Sequence, residues 1–278
     1  MRTSLKKVSI LVASFGFLAV SKVFAQSLPT SSQIVFTNFT GTYHLSRDAG
    51  NHSLLTSEEA IIADFPGQGN FSGITRAIPE TYQNQSVNVK VLNVNDAAGQ
   101  PIPFKTAPDK NKNIVVTTGD PAITLYGIQT IKINYQTRNV VNLNTAQNEF
   151  LLDVNGRDWD TSFQKVAAVI HIPSSFASSL TAKPTCSIVF QNTTSDKCTI
   201  DTKASSEETV ITSKSQEVVP AHHALVIKLQ FKPATFSKQR SFWENNHKLL
   251  LICGSAAVFV LAVLYYTKHS RKKKKSTS

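Results

Sequence analysis

The sequence predicts a mainly β protein: an antiparallel β-sandwich ectodomain, built as one composite sandwich or two β-units, followed by one C-terminal transmembrane helix. Three observations predict it. Apolar and polar residues alternate at period two in several interior stretches, which is the pattern of half-buried strands. Turn-forming clusters separate those stretches at short intervals, and no apolar pattern of helical period persists for three turns between residues 26 and 247. Finally, Leu249 to Tyr266 is an 18-residue stretch without a charge, long enough to cross a bilayer as a helix.

Taken in order, residues 1–25 read as a secretory signal peptide. Arg2, Lys6 and Lys7 form a basic start, Val8 to Val20 an apolar run, and Val23-Phe24-Ala25 a small-residue exit that places cleavage between Ala25 and Gln26. Thirteen helical residues reach only about 20 Å, against about 30 Å of hydrocarbon, so an uncleaved anchor is the weaker reading.

Residues 26–165 are expected to form a β-sandwich domain and residues 166–232 a second, smaller β-unit, or else further strands of the first. The clearest alternation is at Val87, Val89 and Val91, at Ile131, Ile133 and Tyr135, and at Leu225, Ile227, Leu229 and Phe231. Further strands are expected at 33–39, 56–65, 113–118, 149–154, 166–172 and 186–190. Turn chemistry lies between them at Asn95 to Pro101, Gly119-Asp120-Pro121 and Asn155-Gly156.

Residues 233–247 have the polar, aperiodic composition of a juxtamembrane stalk, 248–267 form the expected membrane helix, and 268–278 a basic tail. Lys and Arg beside a membrane span stay on the cytoplasmic side, so Lys268 and the run Arg271 to Lys275 predict a single-pass protein of the cell membrane with its N-terminus outside. The helix and tail would make membrane lipid a partner.

The formal charge of +11 raises the question of nucleic acid, and its placement answers it. Of 29 basic residues, four lie in the first 25 positions and seven from 248 onward, whereas all 18 acidic residues lie between. The middle of the chain is formally neutral, and no nucleic-acid partner is expected.

Cysteine usage agrees with export. Cys186 and Cys198 lie 12 positions apart in the ectodomain, while Cys253 lies inside the apolar stretch, so a Cys186–Cys198 disulfide is expected. Triplets at Asn38, Asn51, Asn70, Asn84 and Asn192 fit glycan acceptors of a eukaryotic secretory route.

The sequence offers no recognisable catalytic, metal or cofactor motif. His222-His223 is the one histidine cluster, and neighbours in a strand point to opposite faces, which favours an exposed turn over a metal site. Asp153, Asp158 and Asp160 are the closest carboxylates; a loop capped by its own Asp side chains is preferred to a cation site. No enzyme activity and no cofactor are therefore expected.

One segment is familiar. Phe71-Ser72-Gly73-Ile74-Thr75-Arg76-Ala77-Ile78-Pro79, preceded by Glu58-Glu59 and Asp64-Phe65, resembles a Gly-Ile-x-Arg-x-Ile-Pro signature of a bacterial family of predicted membrane proteins of unknown function. Later landmarks are similar in order: Tyr126-Gly127-Ile128, Ile133-Asn134-Tyr135, Asn148-Glu149-Phe150, Asn155-Gly156 with Trp159, and His171-Ile172-Pro173. The resemblance spans roughly residues 40 to 235. It departs at Ser72, where the family often has His, and at Leu151, where an aromatic is common. It implies an envelope protein with a β-sandwich ectodomain and no stated reaction. Within the signature, Arg76 with Glu58 or Glu59 is expected to form a buried ion pair that pins the segment to its neighbouring strand. The function this points to is a cell-envelope binding or structural module with a protein or glycan partner. The alternatives are an extracytoplasmic hydrolase with an unrecognised site, or a sensor acting through a membrane partner.

Overall fold

The computed structural model describes residues 33–82, 85–144 and 146–238. The expected signal peptide, its cleavage point at Ala25 and Gln26, the membrane helix and the basic tail lie outside the described residues. Among the described residues no helix is long and apolar enough to cross a membrane.

In chain order the strands are β1 (Val35–Arg47), β2 (Ser53–Phe65), β3 (Thr75–Pro79), β4 (Thr81–Tyr82), β5 (Gln85–Ser86), β6 (Val89–Asn95), β7 (Phe104–Pro108), β8 (Asn113–Thr118) and β9 (Gly127–Arg138). They continue with β10 (Val141–Leu143), β11 (Asn148–Asp153), β12 (Phe163–Pro173), β13 (Thr185–Phe190), β14 (Thr193–Ser195), β15 (Cys198–Ala204), β16 (Glu208–Ser215) and β17 (Ala224–Phe231). A single helical turn, α1 (Ser174–Ala177), follows β12.

The protein is mainly β, with its strands in several sheets. A seven-stranded sheet has the order β15-β16-β12-β1-β2-β9-β6, a five-stranded sheet the order β10-β11-β17-β13-β14, and smaller sheets hold β3-β8-β7 and β4-β5. The inner faces of the two large sheets share one hydrophobic core, with Phe39, Leu45, Ile61, Ile133 and Ile170 from the first and Phe150, Leu229 and Phe231 from the second. Full burial of each such side chain is worth about 1.5–3 kcal/mol.

Local sequence explains the register. Phe36 and Phe39 are both buried although three positions apart, which strict alternation forbids. A register shift between Phe36 and Asn38 turns both rings inward, against Phe163 at 5.1 Å and 5.6 Å between centroids. Strand β17 differs from its prediction, because Ala224 and Val226 are buried as well as Leu225 and Ile227. It is the central strand of the five-stranded sheet, between β11 and β13.

Of the two arrangements expected for residues 166–232 the observed strands follow the second, as further strands of the first unit, and two other expectations change. The division at 165/166 falls inside β12, and strands from both sides of it share both large sheets, so the residues from 166 onward complete the sheets begun by the first half. The seven-stranded sheet is mixed: β12 runs parallel to β1, pairing Phe36 with Phe163 through His44 with His171. The stalk expected from 233 does not begin there, since Phe236 is buried and packs at 5.5 Å on Phe176 and 5.3 Å on Phe231.

The Cys186–Cys198 disulfide joins β13 of the five-stranded sheet to β15 at the rim of the seven-stranded sheet. With 12 positions between its ends, it is worth about 3 kcal/mol in the chain-entropy account.

The strand directions define two ends of the long sheet. β1 and β12 start, and β2 and β16 finish, at one end, where β9 also begins. At the opposite end Arg47 Nη1 donates to the Thr235 carbonyl at 3.0 Å and Ser237 N donates to the Asn51 carbonyl at 2.9 Å. The described chain therefore exits beside the β1–β2 turn, at the far end from the start of β1.

Candidate functional site

The signature segment follows strand period two. Ile74, Arg76 and Ile78 point inward and are buried, while Thr75 and Pro79 are exposed. Gly73 precedes them because the backbone there lies against β8: a Cβ would run into the Thr118 carbonyl. Thr118 also accepts and donates at this crossing, its Oγ1 bonded to both the amide and the carbonyl of Ile74 at 3.0 and 3.1 Å.

Arg76 is 2% exposed and meets Glu59, which is fully buried on β2. The pair is bidentate: Nε donates to Oε2 and Nη2 to Oε1, each at 2.8 Å, while Nη1 donates to the Ala77 carbonyl at 2.6 Å. Tyr135 on β9 donates its hydroxyl to Glu59 Oε1 at 2.6 Å. Tyr43 on β1 packs in the same cluster and donates to the Val154 carbonyl at 3.1 Å. Gly41, which pairs across from Glu59, leaves the space that the Tyr43 ring fills.

Electrostatics hold the Arg76 guanidinium charged and the two phenols neutral. Burial opposes the Arg76 charge, but the Glu59 carboxylate outweighs it and drives the guanidinium pKa above its ordinary value. Burial, then the charge of Glu59, pushes the Tyr43 and Tyr135 phenols well above theirs, so both remain donors. Glu58 is exposed on the opposite face of β2 and belongs to no part of the cluster.

The loop after β11 closes over the guanidinium. Gly156 has φ of +72°, and a Cβ there would stand 2.5 Å from Arg76 Nη1. Asn155, expected in a surface turn, is buried instead. Its amide donates to the carbonyls of Gly156 at 3.1 Å and His223 at 2.8 Å and accepts from Leu225 N at 3.0 Å.

Beside the ion pair lies a cleft of about 230 Å³ between β2, β9, β11 and the β3–β4 crossing. Its walls are largely apolar, and Arg76, Tyr135 and Asp153 supply polar groups. Asp153 is held by Arg157, with Nε 2.8 Å from Oδ2; burial raises its carboxyl pKa, and Arg157 opposes the rise. A second, more open cleft of about 530 Å³ has Phe36 and Trp159 in its lining, with Asp109, Asp158 and Asp160.

The three acidic residues singled out in sequence do not converge. Asp153 pairs with Arg157, Asp158 reaches Asn113 Nδ2 at 3.4 Å, and Asp160 lies 3.5 Å from His222 Nε2. Among the described residues no group of three or more His, Cys, Asp or Glu is placed to hold a metal ion. His222 and His223 part company: His222 has φ of +62°, and the His223 ring stacks 4.7 Å from Phe190.

One other feature was not read from sequence. Ile123 and Tyr126, on the loop into β9, are 55% and 56% exposed, and Ile128, at the start of β9, is 71% exposed. Val35 and Val218 are exposed at the same end of the long sheet, Val218 being next to Val219, which bridges to Phe163.

A family model described as "Predicted membrane protein (DUF2207) N-terminal domain" matches residues 37–231, from within β1 to the end of β17. No curated protein matches the chain. Among solved structures, the M1 zinc metallopeptidase from Deinococcus radiodurans is similar over 70% of this chain and 42% of its own, with 9% identity and a TM-score of 0.43. Native yeast LTA4 hydrolase is similar over 71% of this chain and 29% of its own, with 8% identity and a TM-score of 0.44. A putative protease from Parabacteroides distasonis matches over 73% and 41%, with 10% identity and a TM-score of 0.41. The chain thus spans less than half the length of each of these structures.

Proposed function

The chain belongs to this family of predicted membrane proteins, and from that membership we propose that it is a membrane-held binding module whose β domain presents an apolar tip to another envelope protein. In this reading residues 1–25 are removed after export, 248–267 anchor the chain, and the tail 268–278 stays in the cytoplasm. The two large sheets form a sandwich standing outside the membrane.

The observation that carries the reading is the position of the exposed apolar side chains. Ile123, Tyr126, Ile128, Val35 and Val218 all lie at the end of the long sheet opposite the exit at Thr235 and Ser237. Strand β1 alone, 13 residues at about 3.4 Å each, separates the ends by roughly 40 Å. Exposed apolar side chains held that far from the anchor, with Asp64 between Val35 and Ile128 in the strand register, are suited to a partner rather than to the protein's own membrane. The occupant is an apolar protein surface, because aliphatic and aromatic groups of this type form the centres of protein interfaces.

Photo-crosslinking in intact cells tests this. A benzophenone amino acid at Ile123, Tyr126 or Ile128 should capture a protein partner, and the same group at Thr42 or Thr56, on the outer face of the long sheet, should not. Capture should disappear in an Ile123→Ser/Ile128→Ser chain probed at Tyr126. Equal capture at the tip and on the sheet face, or none at the tip, would sink the proposal.

A further inference from the structure

The cleft beside the Arg76–Glu59 pair is a separate feature from the tip, and it carries an inference of its own. Its volume of about 230 Å³ is roughly that of seven or eight waters. Leu55, Ile78, Val87, Val140 and Phe150 line it, and water held against such walls has few partners.

Four charges stand at its polar end, and they cancel in pairs. Glu59 neutralises Arg76 at 2.8 Å, and Arg157 neutralises Asp153 at 2.8 Å. An ionised ligand head would lose its hydration here and meet no uncompensated opposite charge, which is unfavourable. Hydrogen-bonding capacity nevertheless remains. Three of the five N–H groups of Arg76 are used by Glu59 and Ala77, the Tyr135 oxygen can still accept, and Asp153 has a second carboxylate oxygen.

We propose that this cleft binds a small neutral amphiphile. Its apolar body packs between β2, β9 and β11, and its uncharged head, a hydroxyl or amide, both donates and accepts hydrogen bonds at Arg76, Tyr135 and Asp153. The selectivity against charge comes from the balance of the four ionised side chains. That balance can be tipped either way from the partly exposed Asp153–Arg157 pair without touching the buried pair.

The test uses the full-length chain in lipid nanodiscs with labelled Ile, Leu and Val methyl groups, titrated with octan-1-ol, octanoate and octylammonium at pH 7. The alcohol should give saturable shifts at Leu55, Ile78, Val87 and Val140, and both ions should bind at least tenfold more weakly. Asp153→Asn leaves the polar end positive, so octanoate should gain at least tenfold over the unmodified chain. Arg157→Gln leaves it negative, and octylammonium should gain instead. Val140→Trp, which fills the cleft, should abolish the alcohol's shifts; if that variant does not fold, the two charge variants carry the test. The proposal is overturned if the alcohol gives no saturable shift, or if the order of the three ligands is unchanged by both charge substitutions.

Discussion

Arg76→Met is the most informative single perturbation, because both charges of the Arg76–Glu59 pair are essentially out of solvent. The substitution removes the two hydrogen bonds to Glu59 and the one to the Ala77 carbonyl, and leaves a fully buried carboxylate that still accepts from the Tyr135 hydroxyl. Breaking a buried pair from one side costs about 3–5 kcal/mol, a large part of the 5–15 kcal/mol typical of a whole domain. Removing the carboxylate as well should recover most of that loss. A Glu59→Leu/Arg76→Met chain then leaves the Tyr135 hydroxyl orphaned, at about 1–3 kcal/mol. Adding Tyr135→Phe should bring stability back close to the unmodified protein, since a well-packed apolar replacement of a buried pair is often neutral or better. Urea unfolding of residues 26–238, in which Trp159 is the sole tryptophan and is buried, reads all three values by fluorescence. A cost below about 1 kcal/mol for Arg76→Met, or a triple variant no more stable than the single one, would show that the pair is not the lock described here.

Gly156→Ala forces a Cβ into a φ of +72° and against Arg76 Nη1, so it should destabilise by about 2 kcal/mol or more; in the Arg76→Met background the cost should fall towards the roughly 1 kcal/mol of backbone strain, and an unchanged cost would refute the contact. His44 stacks on His171 at 4.5 Å, and burial, then that neighbour, lowers its pKa, with Glu208 opposing. The unfolded chain therefore takes up this proton first, so stability should decline as pH falls from about 6.5. The dependence of the urea midpoint on pH should flatten in His44→Gln, and an identical slope would contradict this assignment.

How much of this was legible in the sequence depends on how each residue's neighbours are reached. Strand β8 was read with its observed limits, and β9, β11, β12 and β13 were placed within a few residues, because their apolar alternation is set locally. The short strands β3, β4, β5, β7, β10 and β14 were missed, and so were the longer β15 and β16. β15 lies at the sheet rim with mostly exposed polar side chains, and the inward positions of β16 are Thr209, Ile211 and Ser213, which carry little apolar signal. The choice between Glu58 and Glu59 was open because Ile61 and Ile62 obscure the phase of β2. Reading Leu55, Ile61, Ala63 and Phe65 as one face puts Glu59 with them and Glu58 outside, which agrees with their burial. Nothing local could show that the Tyr135 hydroxyl ends on a carboxylate 76 residues away, or that Asn155-Gly156 closes over a guanidinium instead of turning in solvent.

The mixed seven-stranded sheet has a mechanical consequence. Its long strands run from the exposed apolar end to the end where the chain exits, and β1 is flanked by β2 on one side and by parallel β12 on the other. A pull between those two ends loads the ladders of β1 along the strand axis, in shear, so that many hydrogen bonds must fail together; a pull across the sheet would peel them one at a time. Resistance to such a pull is governed by the unfolding rate rather than by equilibrium stability. Along the axis between those two ends the sheet is therefore at its most resistant.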